Sequence, residues 1–431
     1  MSRDGAVRVA LLGAGTVGSG VARILVEKHD AFARLLGSRL ELAGILVRDT
    51  GKAREGIEAS LLTDNADALL DDPSIDVVVE LMGVEQPALD YMIRALSSGK
   101  YVVTANKEVM AKHGPRLQSI AREHGVDLLF EASVGGGIPI IAPLKRDMLA
   151  NRIRGISAII NGTTNYILTA MSQGGAGFDE TLKRAQELGY AEPDPANDIE
   201  GEDARYKLAI LASLAFRSPV RPADIYREGI TRLSAKDFRY ATEFGYTIKL
   251  LALAHYDDAG IQARVHPALV SSNAPLAKVD GVLNAVQIEG DLTGRVNFQG
   301  AGAGSLPTTS AVIADVLDAA QSIIGGRREV HSVEEAVAPI VPMSELQTRY
   351  YIRLTALDRP GVLAQIAQCL GDSQISIATV IQKEAHLDAR TAELVIMTHQ
   401  AREASMQSAL KALQELEAVQ EIGSFIRVEE Q

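Results

Sequence analysis

Short apolar runs alternate with amphipathic stretches along the first part of the chain. Five runs have the length and β-branched content of buried strands: Val7–Leu12, Leu40–Val47, Asp76–Leu81, Tyr101–Thr104 and Asp127–Glu131. Helical spacing lies between them, as in Pro87–Ser97. Strands that alternate with helices predict an α/β fold with a parallel, doubly wound sheet of the Rossmann type.

The middle of the chain has longer elements. A β-branched run at 153–165 precedes two predicted helices, Asp179–Leu188 and Glu202–Phe216. Further on we predict a turn at Gly290–Arg295, a second glycine-rich loop at Asn297–Ser305 and a helix at Thr308–Ile324. We expect an α+β domain here.

A third pattern begins at Gln347, after a linker that includes Gly325–Arg328 and Pro339–Pro342. Its order of elements, βαββαβ, predicts a ferredoxin-like unit. The predicted domains are therefore residues 1–137 together with about 307–335, residues 138–306, and residues 347–431.

Composition narrows the functional classes. The net charge of −12 argues against nucleic acid and anionic membranes as partners. Cys369 is the single cysteine, which excludes an intramolecular disulfide and a cysteine-based zinc site. Because no signal-peptide pattern or membrane-spanning apolar run is present, we expect a cytoplasmic protein.

The first strand leads into G-A-G-T-V-G and then into a helical stretch. Glycines at this spacing allow a tight turn and the close approach of a pyrophosphate to the helix N-terminus. We therefore predict dinucleotide binding by Gly13, Gly15, Thr16, Val17 and Gly18. Arg48, at the end of the second strand, suits the 2′-phosphate of NADP, although the neighbouring Asp49 keeps NAD open.

Two other segments of the first domain carry candidate chemistry. Lys107 follows the strand Tyr101–Thr104 and should point into the crevice where such sheets bind ligands. Glu131 and the following Gly135–Gly137 offer a carboxylate and several carbonyls. They fit either a site for a hard monovalent cation or a hinge between domains.

The segment 185–207, A-Q-E-L-G-Y-A-E-P-D-P-A-N-D-I-E-G-E-D-A-R-Y-K, crowds carboxylates and prolines in front of Lys207. On the predicted helix from Glu202, Asp203 and Lys207 are four residues apart and share a face. Acids at a helix start also suit its dipole, but Glu192 and Asp198 lie in the preceding loop. This cluster favours a site.

No cysteine is placed to form a thioester in the catalytic part, because Cys369 lies within a predicted helix of the third unit. The remaining chemistry for a nicotinamide enzyme is hydride transfer between carbonyl and alcohol or imine and amine, with a lysine as proton partner. In the third unit, Asp358–Leu363 forms a turn before a helix N-terminus, which suits a small carboxylate ligand or is a simple turn.

At its constrained positions, segment 185–207 resembles the signature of the homoserine dehydrogenase family. V-T-A-N-K, F-E-A-S-V-G-G-G-I-P, N-G-T-T-N-Y-I-L and Q-G-A-G-A-G are similar to other blocks of that family, over about residues 7–335. The tail resembles an ACT domain, with D-R-P-G-V-L as its opening turn. The resemblance implies a monofunctional bacterial type without an aspartate kinase portion.

The resemblance implies reversible reduction of L-aspartate 4-semialdehyde to L-homoserine with NAD(P)H, in threonine, methionine and isoleucine biosynthesis. Lys207 would give the proton to the carbonyl oxygen, with Lys107 beside it. The implied substrate-binding residues are Glu192, Asp203, Asp198, Tyr190, Gly162 and Thr163. Gly302 would approach the nicotinamide, and Glu131 with the carbonyls of Val134, Gly136 and Ile138 would bind sodium.

The resemblance further implies that residues 138–306 bind substrate and form the dimer, and that the protein is a homodimer or homotetramer. It also implies threonine as the allosteric ligand of the turn that contains Asp358 and Gly361. Whether Asp198 is a ligand or sets the loop stays open. Two alternatives also remain: a non-catalytic amino-acid sensor on a dinucleotide-binding fold, and a reductase of another amino-acid semialdehyde or imine.

Overall fold

A computed structural model describes residues 5–326, 337–386 and 390–430. The strands are β1 Ala6–Leu12, β2 Arg39–Leu46, β3 Leu62–Thr63, β4 Val77–Glu80, β5 Tyr101–Thr104, β6 Leu128–Leu129, β7 Ile153–Ile159, β8 Tyr226–Arg227, β9 Tyr246–Asp257, β10 Gly260–Ser271, β11 Leu283–Gly290, β12 Gly294–Ala301, β13 Gln347–Leu357, β14 Ile377–His386, β15 Thr391–Thr398, β16 Ala401–Arg402 and β17 Val419–Glu429.

The helices are α1 Thr16–Glu27, α2 His29–Leu36, α3 Asp67–Leu70, α4 Ala88–Ser97, α5 Lys107–His124, α6 Gly162–Gly174, α7 Phe178–Glu187, α8 Ala196–Ile199, α9 Glu202–Phe216, α10 Ala235–Glu243, α11 Ser305–Gly325, α12 Val362–Asp372 and α13 Glu403–Glu415. Short 3-10 turns and one π-helical turn, Pro143–Asp147, connect some of them. None of the described helices combines the length and apolar character needed to cross a bilayer.

The chain forms two compact units. Unit 1 comprises Met1–Arg154, Tyr206–Pro222 and Ala285–Ala338, and unit 2 comprises Gly155–Arg205, Ala223–Asn284 and Pro339–Gln431. Helix α9 contributes its first turn to unit 2 and its remainder to unit 1.

Unit 1 contains a parallel sheet in the order β3-β2-β1-β4-β5-β6. This order reverses between β1 and β4, as in a Rossmann fold, so the predicted fold class is confirmed. The predicted strand Tyr101–Thr104 is β5. The predicted strand Asp127–Glu131 shortens to β6, because the chain turns into the 3-10 helix Glu131–Ser133.

The second glycine-rich loop is shorter than the sequence predicts. Residues 297–301 belong to β12, which neighbours β11, and α11 begins at Ser305. The prediction of a loop over Asn297–Ser305 is therefore wrong for its first half. Pairing with β11 engages the main-chain groups along one side of β12 even though its sequence contains Gly300.

Unit 2 is built on a mixed sheet. β9 lies between β7 and β10 and pairs antiparallel with both, and the order continues as β10-β17-β13-β15-β14. The last four strands, with α12 and α13, form the predicted βαββαβ unit, which is confirmed. Cys369 lies on α12, within a helix of this unit as predicted, and is partly buried against the core of the unit.

The C-terminal βαββαβ unit joins the rest of unit 2 through main chain and buried charge. β17 pairs in parallel with the end of β10, at Ala268–Val270. Asp237 on α10 is fully buried and accepts hydrogen bonds from Arg353 Nε at 2.7 Å, from Ser234 and Tyr351, and from the Ser424 hydroxyl.

A second buried cluster centres on Arg427 of β17, which is 1% exposed. Its guanidinium donates to Glu403 at 2.5 Å and to Glu228 at 2.8 Å, and it lies 5.1 Å from the ring of Tyr226. The segment 226–230 thereby connects the C-terminal unit to neighbouring parts of unit 2.

Candidate active site

The first glycine motif has the geometry of a dinucleotide loop. Gly13 has φ +105°, and a Cβ there would lie 2.8 Å from the carbonyl oxygen of Leu81. A Cβ at Gly18 would collide with the carbonyl oxygen of Gly13, whereas Gly15 faces open space. Gly15 is the N-cap of α1, and Thr16 and Val17 form its first turn. The loop therefore leaves room for a pyrophosphate at a helix N-terminus.

Hydrogen bonds between the ends of β4 and β5 support Lys107. Glu80 accepts from Thr104 Oγ1 and from the main-chain N of Met82, both at 2.7 Å. Thr104 Oγ1 in turn accepts from the main-chain N of Asn106, which is the N-cap of α5. Lys107 is the first residue of α5. Burial raises the pKa of Glu80, although these hydrogen bonds oppose the rise.

The two candidate ribose-side residues differ in their contacts. Arg48 is exposed two residues after the end of β2 and makes no hydrogen bond within the described part of the chain. Asp49 accepts a hydrogen bond from the main-chain N of Gly51 at 2.9 Å, and its own carbonyl accepts from Arg54. The carboxylate of Asp49 thus caps a turn.

The carboxylate of Glu131 is buried and engaged by main-chain donors. Its oxygens accept from the N–H groups of Ile140, Ile141 and Ala142 at 2.6, 2.8 and 2.7 Å. Its main-chain N donates to Asp315, whose pKa burial raises to about 8. Because the carboxylate of Glu131 already accepts these three hydrogen bonds, the main-chain oxygens of this turn are more suitable ligands for a cation than the carboxylate is.

Three of those oxygens belong to the predicted sodium residues Val134, Gly136 and Ile138. Main-chain carbonyls are ligands that hard cations accept, so the donor set fits sodium. A Cβ at Gly136 would lie 2.5 Å from the carbonyl oxygen of Gly302, and Gly137 N donates to Ala301 O at 3.0 Å. Two glycine segments assigned separately from the sequence are therefore in contact within unit 1.

In unit 2, one amide joins two of the predicted acids. Asn161 Nδ2 donates to Asp198 Oδ1 at 2.6 Å and to Asp203 Oδ2 at 2.9 Å. Asn161 and Asp203 are 5% and 3% exposed. The structure thus places these two carboxylates next to each other, on the same amide group. Sequence reasoning missed Asn161.

The other predicted substrate residues surround the start of α6. Thr163 Oγ1 donates to the carbonyl of Tyr190 at 2.6 Å, and the ring of Tyr190 lies 4.9 Å from that of Tyr166. Gly162 packs closely, since a Cβ there would lie 3.0 Å from the carbonyl of Val282. The Glu192 side chain is exposed, and among the described residues its main-chain oxygen alone is hydrogen-bonded, to Gln186 Nε2 at 3.1 Å.

Helix α9 coincides with the predicted helix Glu202–Phe216 and carries Asp203 and Lys207 one turn apart. In the C-terminal unit, Asp358 and Gly361 lie in the exposed turn before α12, and Gly361 has φ +91° at the N-cap. Only glycine adopts this conformation without strain.

A Rossmann sheet with an open glycine loop at the start of its first helix is typical of a dinucleotide-dependent oxidoreductase. The sequence profile of "Homoserine dehydrogenase" matches residues 139–317, that of "Homoserine dehydrogenase, NAD binding domain" matches 13–131, and that of "ACT domain" matches 350–418. These matches agree with the nicotinamide dinucleotide site and the regulatory module expected from the sequence.

Known proteins are similar over nearly the whole chain. Homoserine dehydrogenase of Neisseria gonorrhoeae is 41% identical over 98% of both chains. The crystal structure of a homoserine dehydrogenase from Thiobacillus denitrificans has a TM-score of 0.92 at 43% identity, covering 99% of this chain and 98% of that one. A hyperthermophilic archaeal homoserine dehydrogenase in complex with NADPH has a TM-score of 0.62 at 30% identity, covering 73% and 97%. The chain belongs to the homoserine dehydrogenase family.

Proposed function

We propose that this oxidoreductase catalyses the reversible NAD(P)H-dependent reduction of L-aspartate 4-semialdehyde to L-homoserine, on the route to threonine, methionine and isoleucine. The observation that carries the proposal is the pair of carboxylates of Asp198 and Asp203, which both accept hydrogen bonds from Asn161, with Lys207 one helical turn after Asp203. The substrate is an amino acid with an aldehyde. It therefore needs carboxylates for its ammonium group and a cationic donor for the oxygen that gains charge.

The candidate residues divide into three groups in the proposed reaction. Asp198, Asp203 and Glu192 bind the ammonium group, and Gly162, Thr163 and Tyr190 line the rest of the substrate. When bound, the nicotinamide dinucleotide supplies the hydride. Lys207 donates a proton to the carbonyl oxygen, and Lys107, held by the N-cap of α5, assists at that oxygen. Proton donation of this kind contributes typically about 10²–10⁴-fold to the rate.

The contacts of Arg48 and Asp49 support a preference for NADP. Arg48 is exposed at the end of β2, while the Asp49 carboxylate is engaged by Gly51. A guanidinium binds a 2′-phosphate in a bidentate manner, which NAD does not offer. The NADPH complex of the archaeal relative agrees with this preference. Gly302, beside Gly136, stays our candidate for contact with the nicotinamide end.

We further propose that sodium binds the carbonyls of Val134, Gly136 and Ile138 at the turn that begins with Glu131, and that L-threonine binds the C-terminal domain near Asp358 and Gly361 and inhibits the enzyme. We expect a cytoplasmic homodimer or homotetramer. Initial rates with and without L-threonine and with sodium or potassium salts test the two ligands.

The central experiment follows NADPH oxidation at 340 nm with aspartate semialdehyde for the wild type and Lys207→Arg. Arginine keeps the positive charge but does not give up its proton. We expect kcat to fall by roughly 10²-fold or more while KM changes little. Lys183→Arg, at an exposed lysine of α7, is the matched control. Unchanged kcat in Lys207→Arg would contradict the role of Lys207, and no wild-type turnover would refute the proposed reaction.

A further inference from the structure

Asn161 is a buried amide whose four hydrogen-bonding positions are all used. Its Oδ1 accepts from Thr164 N at 2.8 Å and from Thr164 Oγ1 at 2.9 Å, which makes it the N-cap of α6. Its Nδ2 donates one hydrogen to Asp198 and the other to Asp203. A primary amide offers two donors and one oxygen with two lone pairs, so this set of partners satisfies it completely.

The orientation of this amide follows from its partners. The main-chain N–H of Thr164 only donates, and ionised carboxylates only accept. Rotating the amide by 180° would place its oxygen against two carboxylates and its NH₂ group against an N–H. The observed orientation of the amide is therefore the one in which every donor faces an acceptor.

The two aspartates come from different elements. Asp198 belongs to the short helix α8 and Asp203 to the first turn of α9, 37 and 42 residues after Asn161. Two carboxylates close together repel each other. The NH₂ group between them reduces that repulsion and fixes their separation before any ligand arrives.

We infer that Asn161 is a positioning residue for the substrate, which holds Asp198 and Asp203 as one preformed acceptor for the ammonium group. This inference rests on the proposed reaction. It also explains how Asp198, whose role the sequence left open, is held for the part in ammonium binding proposed above. In this arrangement Asn161 does not contact the reacting carbonyl, so its loss weakens substrate binding more than it slows proton transfer.

The test compares the wild type with Asn161→Asp and Asn161→Ser. Asp and Ser are both good N-caps, so both variants keep the acceptor for Thr164. Asn161→Asp exchanges the NH₂ donor for a third carboxylate, and Asn161→Ser shortens the side chain beyond reach of the two aspartates. We expect KM for aspartate semialdehyde and for homoserine to rise at least tenfold, with kcat reduced less and KM for NADPH within twofold.

The pH dependence of the homoserine KM is a readout that a purely structural role of Asn161 would not change. A carboxyl group placed between two carboxylates retains its proton to higher pH than an isolated one. The protonated form donates one hydrogen bond, so the homoserine KM of Asn161→Asp should approach the wild-type value as pH falls from about 9 to about 6. Asn161→Ser should show no such recovery.

Asn165→Asp is the matched control. Asn165 lies one turn further along α6, is 2% exposed, donates to the carbonyls of Val279 and Leu283 and accepts from Lys249 Nζ at 3.3 Å. None of its contacts with the described residues is to an aspartate. It should lose thermal stability without a selective rise in substrate KM.

Three outcomes would overturn the inference and leave Asn161 as a helix cap. They are a substrate KM within twofold of the wild type in both Asn161 variants, an equal rise of substrate KM in Asn165→Asp, and loss of folding in both Asn161 variants. Failure of the proposed reaction itself is recognised separately, because the wild type would then not turn over.

Discussion

Replacing Arg353 by methionine removes the only guanidinium that the described contacts give to Asp237, while keeping most of the side-chain volume. Asp237 would remain fully buried with four neutral donors: Ser234 N and Oγ, Tyr351 OH and Ser424 Oγ. Glu393, 3.3 Å from Arg353 and 2% exposed, would keep Lys236 and Tyr240 as partners.

Breaking a buried ion pair on one side typically costs about 3–5 kcal/mol, because one charge stays buried without its partner. The remaining donors around Asp237 favour the lower end, about 3 kcal/mol. Unit 2 has about 200 residues, for which 1 kcal/mol lowers Tm by about 2–4 °C. We therefore expect Arg353→Met to lower the melting temperature by roughly 6–12 °C.

Thermal unfolding followed by far-UV circular dichroism measures this change, since the chain has no tryptophan for fluorescence. Arg402→Met is the matched control. Arg402 forms an exposed pair with Glu345 in the same C-terminal region, and exposed pairs contribute about 0–1 kcal/mol. Adding Asp237→Asn to Arg353→Met should recover part of the loss, because the uncompensated charge is then gone.

The loss of stability caused by Arg353→Met should also depend on pH. Burial alone would raise the pKa of Asp237, but the hydrogen bonds and charge of Arg353 outweigh burial and hold the pKa below its usual value. This contribution is present above the unfolded-state pKa of about 4 and is lost as pH falls through the folded-state value. A variant that melts within 2 °C of the wild type at pH 7, or a difference that grows in acid, would refute this reasoning.

Three further predictions concern other parts of the chain. Burial raises the pKa of Asp315 to about 8. Between about pH 4 and 8 the folded state therefore keeps a proton that the unfolded state has lost, and the free energy of unfolding falls as pH rises. Asp315→Asn should have a higher Tm than the wild type at pH 8.5 but not at pH 4. A Cβ at Gly229 would lie 2.5 Å from the Ile199 carbonyl oxygen, so Gly229→Ala should displace the chain beside Asp198 and raise homoserine KM at least fivefold. Arg48→Ser should lower kcat/KM at least tenfold with NADPH and by less than threefold with NADH.

Each of these has a contrasting outcome. A pH-independent effect of Asp315→Asn would mean that Asp315 does not bind a proton in this range. Gly371→Ala, at a position of α12 with open space around it, should leave homoserine KM unchanged, and an equal effect there would remove the steric explanation for Gly229. Equal losses with both cofactors would remove Arg48 from 2′-phosphate recognition.

The local sequence pattern was sufficient to predict those helices, strands and turns whose conformation depends mainly on their own residues. The helix Glu202–Phe216 and the strand Tyr101–Thr104 were predicted with the bounds that α9 and β5 have. The glycine motif at Gly13 was also predictable, because its spacing and its flanking strand and helix specify one turn.

Long-range pairing was not predictable from the same patterns. β9 has a run of Leu and Ala that suits a helix as well as a strand, and its antiparallel partner β10 decides between them. β12 was mistaken for a loop because its glycines concealed its pairing with β11. Asn161 before Gly162 is a recognisable N-cap signal, but its other partners lie 37 and 42 residues away.

The parallel pairing of β17 with Ala268–Val270 affects how regulation can be studied. Truncating the chain before β13 would strip a neighbour from β10 and present unpaired main-chain groups at a sheet edge, which promotes aggregation. Loss of the proposed threonine inhibition in such a truncation would then be confounded with damage to the catalytic fold. A chimera that exchanges the regulatory domain needs a replacement strand that matches β10, and point substitutions in the turn at Gly361 avoid the problem.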